Sequence, residues 1–316
     1  LHLSLRRQRQ MCIRDRNRRF QLRRFRDNIF PLFPRIRCVV NRHCARHQPL
    51  PEDPMQDPND SPEQAPKDRK FVEALARGLE VLRAFTHGHA VRGNQDIARI
   101  TGLPKPTVSR LTYTLTQLGY LKYNQDLEKY QLDSAVLALG YAYSASLRVR
   151  QLGKPFMDEF SRRTNTTVSL TCRDRLSMIH VDSSRPPEVA SLRMEPGLRL
   201  PLATSAAGRA YLAATPKIER DHLLGEVAKK LGDEWPALEK SLEDSFREYE
   251  EFGFCLSLGE WDRNVNGAGV PLRLADGSIM ALTCGAPSFQ LSSEKLESSL
   301  AHQLVMLARD LESLGV

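Results

Sequence analysis

No apolar run in the 316 residues approaches the eighteen or so needed to cross a membrane, so the chain reads as soluble and cytoplasmic. Cysteine is sparse, with six in all and no pairing pattern. Cys12, Cys38 and Cys44 lie in the first fifty residues. Cys172, Cys255 and Cys284 are far apart and are expected to be small buried thiols in a reducing compartment. Cys38, His43, Cys44 and His47 come nearest to a metal cluster, but their spacing matches no usual zinc finger, so neither metal nor cofactor is expected. A G-x-S-x-G elbow, a P-loop and a zincin helix are all missing. His180, Asp182 and Ser183 fall on one predicted strand, where neighbouring side chains alternate faces, so they do not themselves assemble a triad. The chain is therefore read as a non-enzyme. A hydrolase using His180 and Ser183, or an architectural DNA-binding protein without an effector, is the alternative.

Lysine is absent from residues 1–50, which hold 14 arginines and two aspartates, or +12. The whole chain carries +8, so residues 51–316 sum to −4 and the global charge says nothing about the folded part. After the arginines comes "PLPEDPMQDPNDSPEQAP", too polar and proline-rich to bury a core. Residues 1–66 are expected to be a disordered or mistranslated tail, with Met55 as the true start. A basic arm for nucleic acid or organelle targeting is the other reading.

From Phe71 the pattern turns regular. "FVEALARGLEVLRAF" places Phe71, Leu75, Leu79, Leu82 and Phe85 at helical intervals, stopping near Gly88. In "NQDIARITGLPKPTVSRLTYTL", counted from Asn94, small Ala98 stands at position five and Gly102 at nine. Val108 and Leu111 follow at fifteen and eighteen. That register is what a helix-turn-helix needs. Gly102 reverses the first helix in a left-handed conformation, and Pro104 and Pro106 fall in the first turn of the second, where a missing N–H costs nothing. Val108, Leu111, Leu115 and Leu118 are expected to face inward. A plain helical hairpin is the alternative.

"YLKYNQDLEKYQL" then reads as a strand, a polar turn and a strand, the wing of a winged helix-turn-helix, and residues 71–125 carry a local +4. "SAVLALGYAYSASL" reads as a linker helix with Leu137, Tyr141, Ser144 and Leu147 on one face. Residues 149–316 are mildly acidic and mix both periods, with Asp276-Gly277 marking a hairpin, so a largely antiparallel α+β domain is expected. The expected division is a tail at 1–66, a winged helix-turn-helix at 67–132, a linker helix at 133–148 and a sensing domain at 149–316.

"FVEALARGLEVLRAF", "IARITGLPKPTVSRLTYTLTQLGYL", "LPLATSAAGRAYLA" and "FREYEEFGFCLSLGEWDRNVNGAGVPL", in this order, resemble the IclR family of bacterial transcriptional regulators over about residues 70–316. The first segment and "LALGYAY" are most similar to the branch controlling aromatic-acid catabolism. The resemblance implies a C-terminal effector-binding domain of GAF-like fold, homo-dimers or tetramers, double-stranded operator DNA as partner and a small organic acid as effector.

On the second helix, Lys105, Pro106, Thr107, Ser109, Arg110 and Tyr113 are left for the major groove. Arg110 is the first choice for a base contact, since guanidinium donates twice to guanine. Lys122 and Lys129 in the wing are phosphate candidates. By resemblance, the amides of Ala206 and Ala207 hold an effector carboxylate at a helix start. Some family members present an Asp and, ten residues later, a Cys to a small keto acid. Ser257 and Gly267 stand there in this chain, leaving room for a larger or less polar effector, with Trp261 and Asn266 as further contacts.

Overall fold

The structure is a computed structural model that describes residues 70–86, 88–186 and 192–316. The expectations about the tail, including Met55 and the four possible zinc ligands, lie outside the described residues. Among the described residues no helix is long and apolar enough to cross a membrane.

The N-terminal part is built from α1 (Glu73–Arg83), β1 (Val91–Arg92), α2 (Asn94–Thr101), α3 (Lys105–Gln117), β2 (Leu121–Asn124) and β3 (Lys129–Leu132). Gly102 ends α2 at φ +69°, the left-handed conformation that glycine adopts freely. Pro104 caps α3 from outside and Pro106 is its second residue, where no intrahelical N–H is needed. Val81, Phe85, Ile97, Val108 and Leu121 fill a small core between the three helices and the wing. One expectation fails here. Leu118 is 62% exposed, and the residue that faces inward is Thr112, whose hydroxyl is satisfied by the carbonyl of Val108 at 3.0 Å. Phe71, Leu75 and Leu79 are also exposed, while Val81 of α1 and Ala84 and Phe85 just beyond it are buried. The wing has a third strand, β1, paired antiparallel with β3.

Next comes α4 (Ser134–Ser146), with Leu147 just beyond it in extended conformation rather than on its face. Then follow α5 (Arg148–Thr164), β4 (Thr167–Asp174), β5 (Ser177–Ser184), β6 (Arg199–Pro201), α6 (Ala206–Ala214), α7 (Lys217–Leu231) and α8 (Trp235–Phe252). The chain ends in β7 (Cys255–Leu258), β8 (Val265–Arg273), β9 (Ile279–Pro287), a short α9 (Ser293–Lys295), a π-helical turn and α10 (Ala301–Ser313).

Six of these strands form one sheet in the order β6-β5-β4-β9-β8-β7, all neighbours antiparallel. The fold is α+β. Gly277, at φ +82°, closes the β8–β9 hairpin as the Asp-Gly pair predicts. Strand alternation separates two faces. Val168, Leu170 and Leu282 point toward α5 and α10, where Met157, Phe160 and Leu304 cover them. Met178 and Ala281 point the other way, beneath α6, α7 and α8. Cys255 and Cys284 are buried, and burial pushes each thiol up to about 12 and keeps it protonated. Cys172 is only half-buried.

Candidate DNA-reading helix and effector cavity

The outward face of α3 is polar because its inward face is fixed by Val108 and Thr112. Lys105, Pro106, Ser109, Arg110 and Tyr113 are exposed and Thr107 is half-buried, so the expected reading residues share one accessible surface. The Thr112 hydroxyl also lies 3.1 Å from Asn94 Oδ1, where the start of α2 meets α3. In the wing, Leu121 pairs with Leu132 and Tyr123 with Tyr130, whose rings lie 4.9 Å apart. The other hairpin face carries both Lys122 and Lys129, opposite Gln131 and Asn124.

At the far end of the chain, Ser205 caps α6, its hydroxyl accepting from the Gly208 amide at 3.1 Å. The helix start is pressed against its surroundings. A β-carbon at Gly208 would lie 1.9 Å from the Leu202 carbonyl oxygen, and one at Gly269 would lie 2.2 Å from that of Ala206. Both positions therefore require glycine. The Ala206 and Ala207 amides have no hydrogen-bond partner among the described residues, and the two residues line a pocket between α6 and the sheet. Free amides at a helix N-terminus carry partial positive charge and favour an anion.

Ala206, Ala207, Ser257, Trp261 and Gly267 all line this cavity. Asn266 does not; its side chain turns to the opposite face of β8 and donates to the Leu291 carbonyl at 2.9 Å. The Ser257 hydroxyl is engaged as well, donating to the Thr204 carbonyl at 2.8 Å. Trp261 is held by a device that local sequence patterns did not reveal. Arg209 of α6 is 3% exposed and forms a two-pronged pair with Glu260 at 2.7 and 2.8 Å, fixing the loop next to Trp261. His180 also lines the cavity, where sequence reasoning weighed it only as part of a hydrolase. No relay forms around it. Asp182 pairs with Arg150 at 2.8 Å and accepts from the Ser183 amide.

The sheet domain also touches the winged part. The β4–β5 hairpin tip presents Arg175 to Glu80 of α1, and Asp174 accepts from Arg83 at 2.9 Å and from Arg199 at 2.7 Å. Partial burial alone would raise the Asp174 carboxyl, but hydrogen bonds from Arg199 and Arg83 hold it below the usual range.

Residues 74–125 match the family described as the IclR helix-turn-helix domain, and residues 141–313 match the family described as the bacterial transcriptional regulator IclR C-terminal domain. The chain belongs to the IclR family. It is similar to the HTH-type transcriptional regulator TsaQ1/TsaQ2 of Comamonas testosteroni, 33% identical over 77% of this chain and 88% of that one. A p-hydroxybenzoate hydroxylase transcriptional activator of Acinetobacter baylyi is 26% identical over 77% of this chain and 92% of its own. Among solved structures, an IclR family transcriptional regulator from Brucella abortus matches with a TM-score of 0.76 and 44% identity, covering 79% of this chain and 95% of that one. As an IclR-family regulator the chain is a DNA-binding transcription factor with a small-molecule sensing domain, and its relatives are regulators rather than enzymes.

Proposed function

We propose that this IclR-family chain is a cytoplasmic, homo-oligomeric transcription factor whose hold on operator DNA is set by a small carboxylate, preferentially aromatic. We divide it into a winged DNA-binding part at 67–132, a linker helix at 133–148 and a sensing domain at 149–316. In this reading Arg110 reads a base, and Lys105, Thr107, Ser109 and Tyr113 read bases or hold phosphates beside Pro106. Lys122 and Lys129 clamp the backbone from the wing. Ala206 and Ala207 bind the effector carboxylate, while Ser257, Gly267 and Trp261 shape the space beyond it.

One observation carries the sensing half: Ala206 and Ala207, whose helix-start amides are unpaired among the described residues, line a pocket of chiefly apolar and small side chains. A carboxylate satisfies both, and the surroundings favour an organic body attached to it. Gly267 widens the cavity, its would-be β-carbon reaching only 3.3 Å from the Cys284 carbonyl oxygen. One relative is a transcriptional activator of p-hydroxybenzoate hydroxylase, an enzyme named for an aromatic acid, and we carry that class over to this chain's effector.

An effector changes operator affinity only by the difference in its affinity for the two states of the protein. In a dimer the linker helix transmits that difference by altering the separation of the two winged parts. The test has two stages. Aromatic and aliphatic carboxylic acids are first screened by thermal shift, since a ligand that binds only the folded state raises Tm. A stabilising acid is then titrated into the protein bound to a duplex selected from a random pool. A change in duplex affinity is expected, and unchanged affinity at saturating acid removes that acid as an effector.

A further inference from the structure

The effector cavity contains a second unsatisfied group besides the helix-start amides. His180, near the middle of β5, is 2% exposed and lines the cavity, yet neither ring nitrogen has a hydrogen-bond partner among the described residues. Most buried polar side chains are paired, so an idle imidazole in a ligand cavity calls for an explanation. The polar hydrogens of its neighbours are engaged elsewhere. The cross-strand residue Thr171 donates its hydroxyl to the Ala281 carbonyl at 3.0 Å, and Asp182 belongs to Arg150. The Ser205 and Ser257 hydroxyls donate to the Pro201 and Thr204 carbonyls.

We propose that His180 is the specificity-determining residue of this cavity, selecting acids that carry a neutral hydroxyl remote from the carboxylate. The proposal rests on the reading above, in which the carboxylate sits at Ala206 and Ala207. Burial pushes the His180 pKa down to about 4, so the ring is neutral at physiological pH and offers one N–H donor and one lone pair. A hydroxyl, which both donates and accepts, matches either nitrogen. A second carboxylate has no N–H donor pair to meet it there, and an unsubstituted ring leaves the imidazole unpaired.

The layout of the sheet sets the ligand's length. The first turn of α6 rests on β8 at Gly269, and His180 is on β5. In the order β5-β4-β9-β8 the two lie three strand steps apart, about 14 Å at the usual inter-strand spacing. After the reach of an imidazole and of two hydrogen bonds, that span suits a ring with polar groups at separate positions. A two- or three-carbon acid is too short to touch both ends.

The test measures binding of benzoate and of the three monohydroxybenzoates to the full chain by calorimetry. Wild type is expected to bind at least one hydroxy isomer roughly tenfold or more tighter than benzoate, the worth of one well-formed hydrogen bond in a dry site. In His180→Leu and His180→Ala, measured in parallel in case one fails to fold, that ratio should fall to about one while benzoate affinity is kept. His180→Gln, which retains a neutral donor and acceptor, should recover part of the preference. A histidine with a merely structural role would weaken all four acids alike, and a ratio unchanged from wild type in the Leu and Ala variants overturns the proposal. Wild-type binding with no preference among the four acids overturns the assignment of His180 alone. Failure of wild type to bind any of the four overturns the carboxylate reading as well.

Discussion

The basic residues of the winged part differ in whether a carboxylate already neutralises them. Arg77 faces Glu73, Arg99 lies 3.7 Å from Asp96 and Arg83 pairs with Asp174. Lys105, Arg110, Lys122 and Lys129 form no ion pair among the described residues, and they lie on the α3 surface and the wing. Their charge is therefore available to an external anion, and DNA supplies one at every phosphate. Arg110 differs from the lysines in geometry, since its fork can satisfy two acceptors on one guanine edge. Arg110→Ala should cost about 1–3 kcal/mol on the selected duplex and much less on a scrambled one, at unchanged Tm. Lys105→Ala should weaken both duplexes alike and lower the salt slope by about one. Equal losses on both duplexes for Arg110→Ala would move it from base reading to phosphate holding.

Between elements, the β4–β5 hairpin is the piece that touches both functions. His180 stands on β5, and the tip of the same hairpin grips α1 through Arg175–Glu80 and Asp174–Arg83. These contacts offer a shift of β5 on ligand binding a second path, beside the linker helix, to the helix that backs α3. Reversing the tip charge with Arg175→Glu sets two carboxylates against each other at Glu80. Effector binding and operator binding should each survive in that variant, while the change in operator affinity caused by effector is reduced, the linker helix remaining as the other path. Full retention of the effector response would show that the signal takes another route. Little of this coupling was legible in the sequence, and the reason is distance along the chain. The helix-turn-helix could be read because Gly102, Pro106 and the spacing of Ala98, Val108 and Leu111 are local constraints on a few turns of backbone. The β8–β9 hairpin could be read because Asp276-Gly277 fixes its own turn. Glu80 and Arg175 are 95 positions apart, and Arg209 and Glu260 are 51 apart, so no periodicity links them. β1 and β6, of two and three residues, are too short to show alternation at all. Strand alternation places His180 on a face but does not say that a cavity lies over it.

For the whole molecule, the unsolved burial problem is α4. Its thirteen residues include no charged side chain, and none of them is buried within the chain. Leu137 is 75% exposed and Tyr141 71%, and Phe71 just before α1 and Leu75 within it are exposed at 65% and 63%. A helix this apolar is normally covered, and the described residues leave most of its large apolar side chains bare. The periodicity of α1 marks an apolar stripe but does not say what covers it. A second copy is the economical partner, because a two-fold axis buries identical faces together and presents two α3 helices to successive major-groove turns, about 34 Å apart. Leu137→Glu places a charge in that seam, where desolvation without a counter-ion is costly. Sedimentation velocity should show the variant shifted toward monomer at concentrations where wild type is a dimer or larger. Its affinity for the selected duplex should fall with it, since one winged part then holds one half-site. Effector binding should persist, because the cavity between α6 and the sheet is lined by residues of a single chain. That last measurement separates a lost interface from a lost fold. A variant with wild-type sedimentation would place the subunit contact elsewhere, leaving the exposed face of α4 to some other partner.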